Sequence, residues 1–438
     1  MRALIVCYAF PPVGGAGVQR VLKLVKYLPQ HGVTPAVLTA RAPSVPLVDP
    51  SLERDIPAGT EIVRARTLEP GYGAKQLAWR VQAQASGGPR ARLKQAVLGL
   101  GRGLLVPDPQ VLWLPAAQLA LARRLFSATP DDVVLISGPP FSPFLLGALA
   151  RLRPGTAVVL DYRDEWTTTA GTYEMGGAAR ASALLERAIL PLAHSIVTAT
   201  EEFRSALLAR YEFLKPERVI AIPNGYDPDD FPSELPDPPR DRCVVTYAGT
   251  VFRLTSARGL LQALRLLHER EPVLARLLAL RFIGRIVETE LGSFDNSEQL
   301  GVERVGYLSH AETLTQLASS HAALCILDEV PGVERIYPAK VFELMRLGRP
   351  CLALTPEGAL ATLVRRHQLG QVVPPRDAPS IAAALERLAR EFRAGTLTAR
   401  SEAIDIGRFD RREQAGLFAS VLRESHARAS SRRSAWSA

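Results

Sequence analysis

The chain repeats one pattern: a short apolar run, then a longer stretch whose apolar residues recur every three or four positions. Residues 3–10 (Ala-Leu-Ile-Val-Cys-Tyr-Ala-Phe) read as a buried strand. Residues 16–28 follow as a helix, with Val18, Val21, Leu22, Val25 and Leu28 on one face. Further strands are predicted at 35–39, 132–137, 156–161 and 195–199, and helices at 113–126, 143–152 and 180–193. Uninterrupted apolar runs suit strands covered on both faces, so the alternation predicts a mostly parallel α/β sheet.

Residues 222–240 break the rhythm with six prolines (223, 228, 232, 236, 238 and 239) and read as an interdomain linker. The alternation then restarts. Strands are predicted at 243–248, 279–283, 322–327, 350–354 and 371–373, and helices at 256–270, 310–318, 338–347, 359–367 and 377–393. A last helix is expected at about 410–424, and the small, polar, basic tail 425–438 is expected to be disordered. A length of 438 residues exceeds one ordinary core. The division is therefore a first domain at 1–222, a linker at 223–240 and a second domain at 241–405.

Composition changes this picture little, but charge adds to it. The net charge of +9 favours an acidic partner. The basic residues are scattered over the helices and no nucleic-acid module occurs, which points away from DNA and RNA and toward phosphorylated small molecules or anionic lipid. Segment 64–103 carries eight basic residues and one acidic residue, Glu69, interleaved with Leu77, Trp79, Val81 and Leu93. It is expected to lie on an anionic membrane surface, or else to be a solvated insertion with a core-facing stripe. The apolar N-terminus is too short for a secretion signal, and no apolar run is long enough to span a bilayer. The four cysteines, Cys7, Cys243, Cys325 and Cys351, each lie in or beside an apolar run. They fit buried thiols in a reducing compartment, so a cytoplasmic location is expected, with peripheral membrane contact through 64–103.

Candidate chemistry sits where predicted strands end. Gly14, Gly15 and Gly17 lie between the first strand and helix, where a backbone can approach an anion and a helix N-terminus can bind it; the plain alternative is a tight turn. A dinucleotide site fits poorly, because the spacing is not GxGxxG and the second strand ends in Thr39-Ala40-Arg41 without an acidic residue. Ser137-Gly138-Pro139-Pro140-Phe141-Ser142 and Asp161-Tyr162-Arg163-Asp164-Glu165-Trp166 follow two more strands. Asp164 or Glu165 can bind or deprotonate a hydroxyl, or belong to a surface ion network. In the second domain, Thr250, Arg253 and Arg258 follow a strand, and guanidinium groups there suit a diphosphate. Lys340 and Glu343 share a helix face and suit a nucleotide, ammonium to phosphate and carboxylate to ribose, or form a local ion pair. Glu357, Gly358 and Ala359 join a strand end to a helix N-terminus, a second anion site. Asp227-Pro228-Asp229 matches a D-x-D cation string, but within a proline-rich stretch it reads as a turn, and no metal is expected.

These motifs, in the order FPPVGGAGVQR, SGPPFS, DYRDEWT, IPNGYD, YAGT, PAKVFELMRLGRP and TPEGALATLV, together resemble the GT-B glycosyltransferases, and within them the retaining family 4. The resemblance runs from residue 10 to about 376. It implies an α/β fold of two doubly wound Rossmann-like domains facing each other across a cleft, with the last helix returning to the first domain. It implies a nucleoside-diphosphate sugar, expected to be a UDP-sugar, held mainly by the second domain, with no metal or other cofactor. Arg253 and Lys340 would hold the pyrophosphate, Glu343 the ribose, and Gly358 and Ala359 would offer amides, with Thr250, Arg258 and Glu357 nearby. Gly14, Gly15 and Gly17 would line the cleft. Ser137, Pro140, Arg163, Asp164 and Trp166 lie on the side of an acceptor, which could be a sugar, a lipid-linked glycan or a natural product. Asp164, Arg253 and Lys340 are the residues expected to serve transfer directly. Two positions depart from the family: Arg335 stands where many relatives have a sugar-contacting glutamate, and Arg163-Asp164 where many have a histidine. The alternatives are a nucleotide-sugar epimerase and a non-catalytic partner protein of the same fold.

Overall fold

The computed structural model describes residues 1–45, 47–71, 105–167, 177–232, 234–398 and 403–436. The chain forms two compact units, Met1–Ile222 with Gln414–Ala438, and Pro223–Glu413.

The first unit is built on seven strands: β1 (Arg2–Val6), β2 (Thr34–Arg41), β3 (Glu61–Arg66), β4 (Val133–Gly138), β5 (Ala157–Tyr162), β6 (Ser195–Thr198) and β7 (Val219–Ala221). All pair in parallel, in the order β3-β2-β1-β4-β5-β6-β7. Every residue of β4 and β5 is buried, as expected when helices cover both faces. Alternate residues feed two cores. Leu4, Val6, Val134 and Ile136 pack with Trp113, Leu121 and Phe144 on one face. Ile5, Leu135 and Val159 pack on the other with Val18, Val21, Leu22 and Val25 of the helix Ala16–Tyr27.

That second face is completed by the last helix, Arg411–Trp436, through Ala415, Phe418, Ala419 and Leu422. The tail expected to be disordered from 425 is therefore helical to Trp436. Its buried positions are small: Ser425 is fully enclosed with its Oγ 2.7 Å from Ser195 Oγ, and Ala429 belongs to the core. Small residues continuing the i, i+4 seam of the helix carry no hydrophobic signal in composition.

The second unit has six parallel strands: β8 (Cys243–Ala248), β9 (Leu278–Ile283), β10 (Val302–Gly306), β11 (Ala322–Ile326), β12 (Cys351–Leu354) and β13 (Gly370–Val373). Their order is β10-β9-β8-β11-β12-β13. The proline-rich stretch is no free linker. Tyr226 is buried, its N–H donates to Phe409 O at 3.0 Å, and Phe231 and Leu235 pack on the core of this unit. Within it, Asp227 caps a short turn by accepting from Asp229 N–H at 3.0 Å.

Of the basic segment 64–103, Arg64 and Arg66 belong to β3, and residues 72–103 lie outside the described ones. The membrane-surface expectation falls mainly on that outside portion. Among the described residues no helix is long and apolar enough to cross a membrane. All four cysteines are buried free thiols.

Candidate active site

In a doubly wound sheet, ligands bind beyond the carboxyl ends of the strands, where the strand order reverses. In the first unit this place lies between β1 and β4. The helix following β1 starts after Gly15, whose φ of 101° suits glycine. The Gly14 amide is engaged within the loop, donating to Leu47 O at 3.1 Å. Arg163, just past β5, ties the two sides together. Its Nη1 donates to Gly17 O, its Nη2 to Pro139 O and its Nε to Gly138 O at 3.3 Å. A Cβ on Gly17 would come within 3.1 Å of that guanidinium, so glycine here makes room for the clamp. Asp164 next to it is exposed, and among the described residues no hydrogen bond holds its carboxylate.

Beneath the clamp lies a closed ion pair. Arg20, 1% exposed, donates Nε and Nη2 to Asp161, fully buried, at 2.9–3.2 Å. Ser137 Oγ donates to the same carboxylate at 2.8 Å, and Arg20 Nη2 also reaches Ile222 O at 2.9 Å. Ser137 is thereby enclosed and supports the pair; it does not face an acceptor. Trp166, expected on the acceptor side, is also buried and packs the core, stacked on Phe141 with ring centroids 5.1 Å apart. Pro140 remains half-exposed in a loop shaped by Asp108, which accepts from Phe141 N–H at 2.6 Å and Ser142 N–H at 3.0 Å. Burial pushes the Asp108 carboxyl up, against these hydrogen bonds.

In the second unit the order reverses between β8 and β11. The loop after β8 is folded by Thr250 O, which accepts from Tyr247 OH at 3.0 Å and from Thr255 Oγ1 at 2.6 Å. Asp328 N–H, at the end of β11, donates to Leu254 O at 2.7 Å and fixes the loop at the switch point. Arg253 projects exposed from this loop, and among the described residues nothing pairs with its guanidinium.

After β11 the helix Lys340–Leu347 buries Val341, Phe342, Leu344, Met345 and Leu347 and leaves Lys340 and Glu343 on its other face. Lys340 Nζ donates to Glu343 Oε2 at 2.8 Å, and Glu343 Oε1 lies 3.0 Å from His310 Nε2. The Glu343 side chain is 13% exposed and that of Lys340 27%, so the pair is reachable from solvent. Burial opposes ionisation of Glu343, yet the charges and hydrogen bonds of Lys340 and His310 hold its carboxyl down at about 2. The chain then reaches Gly358, at φ +150°, where a Cβ would meet Glu334 O at 2.5 Å. This close contact packs the backbone of Glu334 against the residue that precedes the helix Ala359–Arg366.

The chain matches a family of glycosyl transferase 4-like domains over residues 14–225, and the glycosyl transferases group 1 over residues 242–391. The chain belongs to the GT-B glycosyltransferases. No curated protein matches it significantly. Its fold is similar to that of sucrose-phosphate synthase from Thermosynechococcus elongatus, with 15% identity, a TM-score of 0.64, and 98% of this chain and 99% of that one covered. It is also similar to HepE of Anabaena in complex with UDP and glucose (13% identity, TM-score 0.57, 99% and 100% covered). A third similar structure is WaaG, a glycosyltransferase involved in lipopolysaccharide biosynthesis (14% identity, TM-score 0.56, 98% of each chain covered).

In this glycosyltransferase, Thr250 and Arg253 lie in the loop that follows β8, and Lys340 and Glu343 lie on the helix that follows β11. Two expected donor residues stand apart. Arg258 is taken by the buried Glu290, Nη2 to Oε1 at 3.1 Å, and withdrawing it would strand a carboxylate away from water. Glu357 is exposed and bound by Arg365 at 2.6 and 2.7 Å, so it closes a surface pair beside the helix start. The sequence reading missed Arg20, Asp161, Asp108 and His310 as organisers. Asp108-Pro109 is a recognisable cap signal; the other three depend on partners far along the chain.

Proposed function

We propose that the second unit binds a nucleoside-diphosphate sugar, with UDP the expected nucleotide, and that the enzyme transfers the sugar to a hydroxyl of a glycan or glycolipid acceptor held by the first unit. The observation carrying this reading is the half-open Lys340–Glu343 pair on one helix face, with Arg253 exposed in the loop after β8 and its guanidinium without a partner among the described residues. A cation and an ionised carboxylate side by side match the two polar ends of a nucleoside diphosphate, its pyrophosphate and its ribose diol. The family match, and the UDP and glucose in the complex of the similar HepE, agree with it.

On this reading Lys340 and Arg253 take the diphosphate. As the bond from the anomeric carbon to phosphate oxygen breaks, its electron pair stays on the leaving diphosphate, and the two cations stabilise the charge that grows there. The acceptor oxygen forms the new bond to the anomeric carbon and passes its proton to an oxygen of the departing diphosphate. The exposed Asp164 is the acceptor-side carboxylate placed to bind that hydroxyl. Two cations preorganised for the leaving group give this stabilisation without a metal ion. On this proposal transfer proceeds with retention and at a cytoplasmic site, which the buried free thiols suit.

Sugar transfer from UDP-sugars by Arg253→Ala and Lys340→Ala tests the reading. Each should lose about 100-fold in rate, with far-ultraviolet circular dichroism unchanged. Normal turnover in either variant would remove that residue from the site.

A further inference from the structure

Glu343 uses its two oxygens differently. Oε2 accepts from Lys340, which lies on the same helix and is the more exposed partner, at 2.8 Å. Oε1 faces His310 Nε2 at 3.0 Å, and that ring comes from a different helix, His310–Ala318. An ionised carboxylate only accepts hydrogen bonds, so His310 must carry a proton on Nε2 to donate to it. The other ring nitrogen, Nδ1, lies 3.8 Å from Asp230 Oδ2. Asp230 is 7% exposed and the His310 side chain 11%, so this arm of the network is the more enclosed one.

The first turn that carries His310 is rigidly started. Ser309 Oγ accepts from Glu312 N–H at 3.3 Å while Glu312 Oε2 accepts from Ser309 N–H at 2.9 Å, a capping box. Asp230 ends the short turn that Asp227 caps. Asp230, His310 and Glu343 thus follow one another, with Lys340 on the other oxygen of Glu343.

The two arms act differently when a ligand arrives. On the reading above, Lys340 turns to the pyrophosphate, which frees Oε2. His310 stays and fixes Oε1, and so sets where Oε2 points. We propose that His310 is a positioning residue that aims the Glu343 carboxylate at the ribose hydroxyls and so gives the enzyme its preference for ribonucleoside over deoxyribonucleoside diphosphates. The inference rests on Glu343 being the ribose ligand.

The test is calorimetric titration of UDP and 2′-deoxy-UDP into wild type, Glu343→Ala, His310→Ala and His310→Gln. Glutamine places an amide N–H near the position of the imidazole Nε2 and keeps the donor. Wild type should prefer UDP by about tenfold, as expected for one hydrogen bond to a charged group. Both Glu343→Ala and His310→Ala should bring the ratio close to one, and His310→Gln should retain most of the preference. A ratio lost in Glu343→Ala but kept in His310→Ala overturns the inference alone. A ratio kept in Glu343→Ala, or no UDP binding by wild type, overturns the ribose reading and the inference with it. If His310→Ala fails to fold, His310→Gln decides: a preference lost despite the retained donor also contradicts the proposal.

Discussion

Asp161 and Glu343 are both carboxylates paired with a cation at the switch point of a doubly wound sheet, and they illustrate opposite uses of the same chemistry. Asp161 has no exposure, and its oxygens receive Arg20 and Ser137. The guanidinium of Arg20 is in turn occupied by Ile222 O and lies 4.9 Å over the Phe418 ring. Nothing in that set is left for a ligand, and the pair binds the helix Ala16–Tyr27, the sheet and the last helix together. Glu343 stays partly open, with one cation on a flexible stem that can exchange it for a phosphate. A carboxylate paired with a cation marks a binding site only when its partners can be released; fully satisfied and enclosed, it is scaffold.

The largest effect that would break this comparison is on stability. Arg20→Ala or Asp161→Ala should each lose about 3–5 kcal/mol in urea unfolding, because either leaves a buried charge uncompensated. The double variant Arg20→Met/Asp161→Leu should recover most of that loss. If the single variants unfold like wild type, the pair is not scaffold. Lys340→Ala, in contrast, should alter stability by no more than about 1 kcal/mol, as for other partly exposed pairs. A further effect concerns pH. The Glu343 carboxyl is held at about 2 against an ordinary 4.5, so its contribution to stability is complete above pH 4.5 and disappears as pH falls toward 2. Glu343→Gln should flatten that part of the acid limb of the stability curve; an unchanged limb would show the carboxyl is not held down.

The elements most visible in the sequence were the buried ones. The strands β4, β5, β8 and β11 are nearly unbroken apolar runs, and Val18, Val21, Leu22 and Val25 mark their helix by spacing alone. Three of the four edge strands were hidden. β3 reads Glu-Ile-Val-Arg-Ala-Arg and β10 Val-Glu-Arg-Val-Gly, because an edge strand meets solvent and takes charged residues. β7 is only three residues long. The helix Glu201–Arg210, begun by the Thr200 cap, also escaped because its apolar face is weak. At the site, Lys340 and Glu343 were legible because a helix brings residues three apart onto one face. Arg20 with Asp161, and His310 with Glu343, were not, since only tertiary packing joins them. Trp166 looked like a site aromatic because a sequence does not show which way a ring turns, and here it turns onto Phe141.

The central claim is that the half-open pair in the second unit holds a nucleoside diphosphate. Isothermal titration of UDP into wild type and Lys340→Ala tests it most directly. We expect one saturable site in wild type, weakened at least about tenfold in the variant, as loss of one charge-assisted contact to phosphate requires. Equal affinity in both proteins, or no heat in wild type with UDP, GDP, ADP or dTDP, would contradict it.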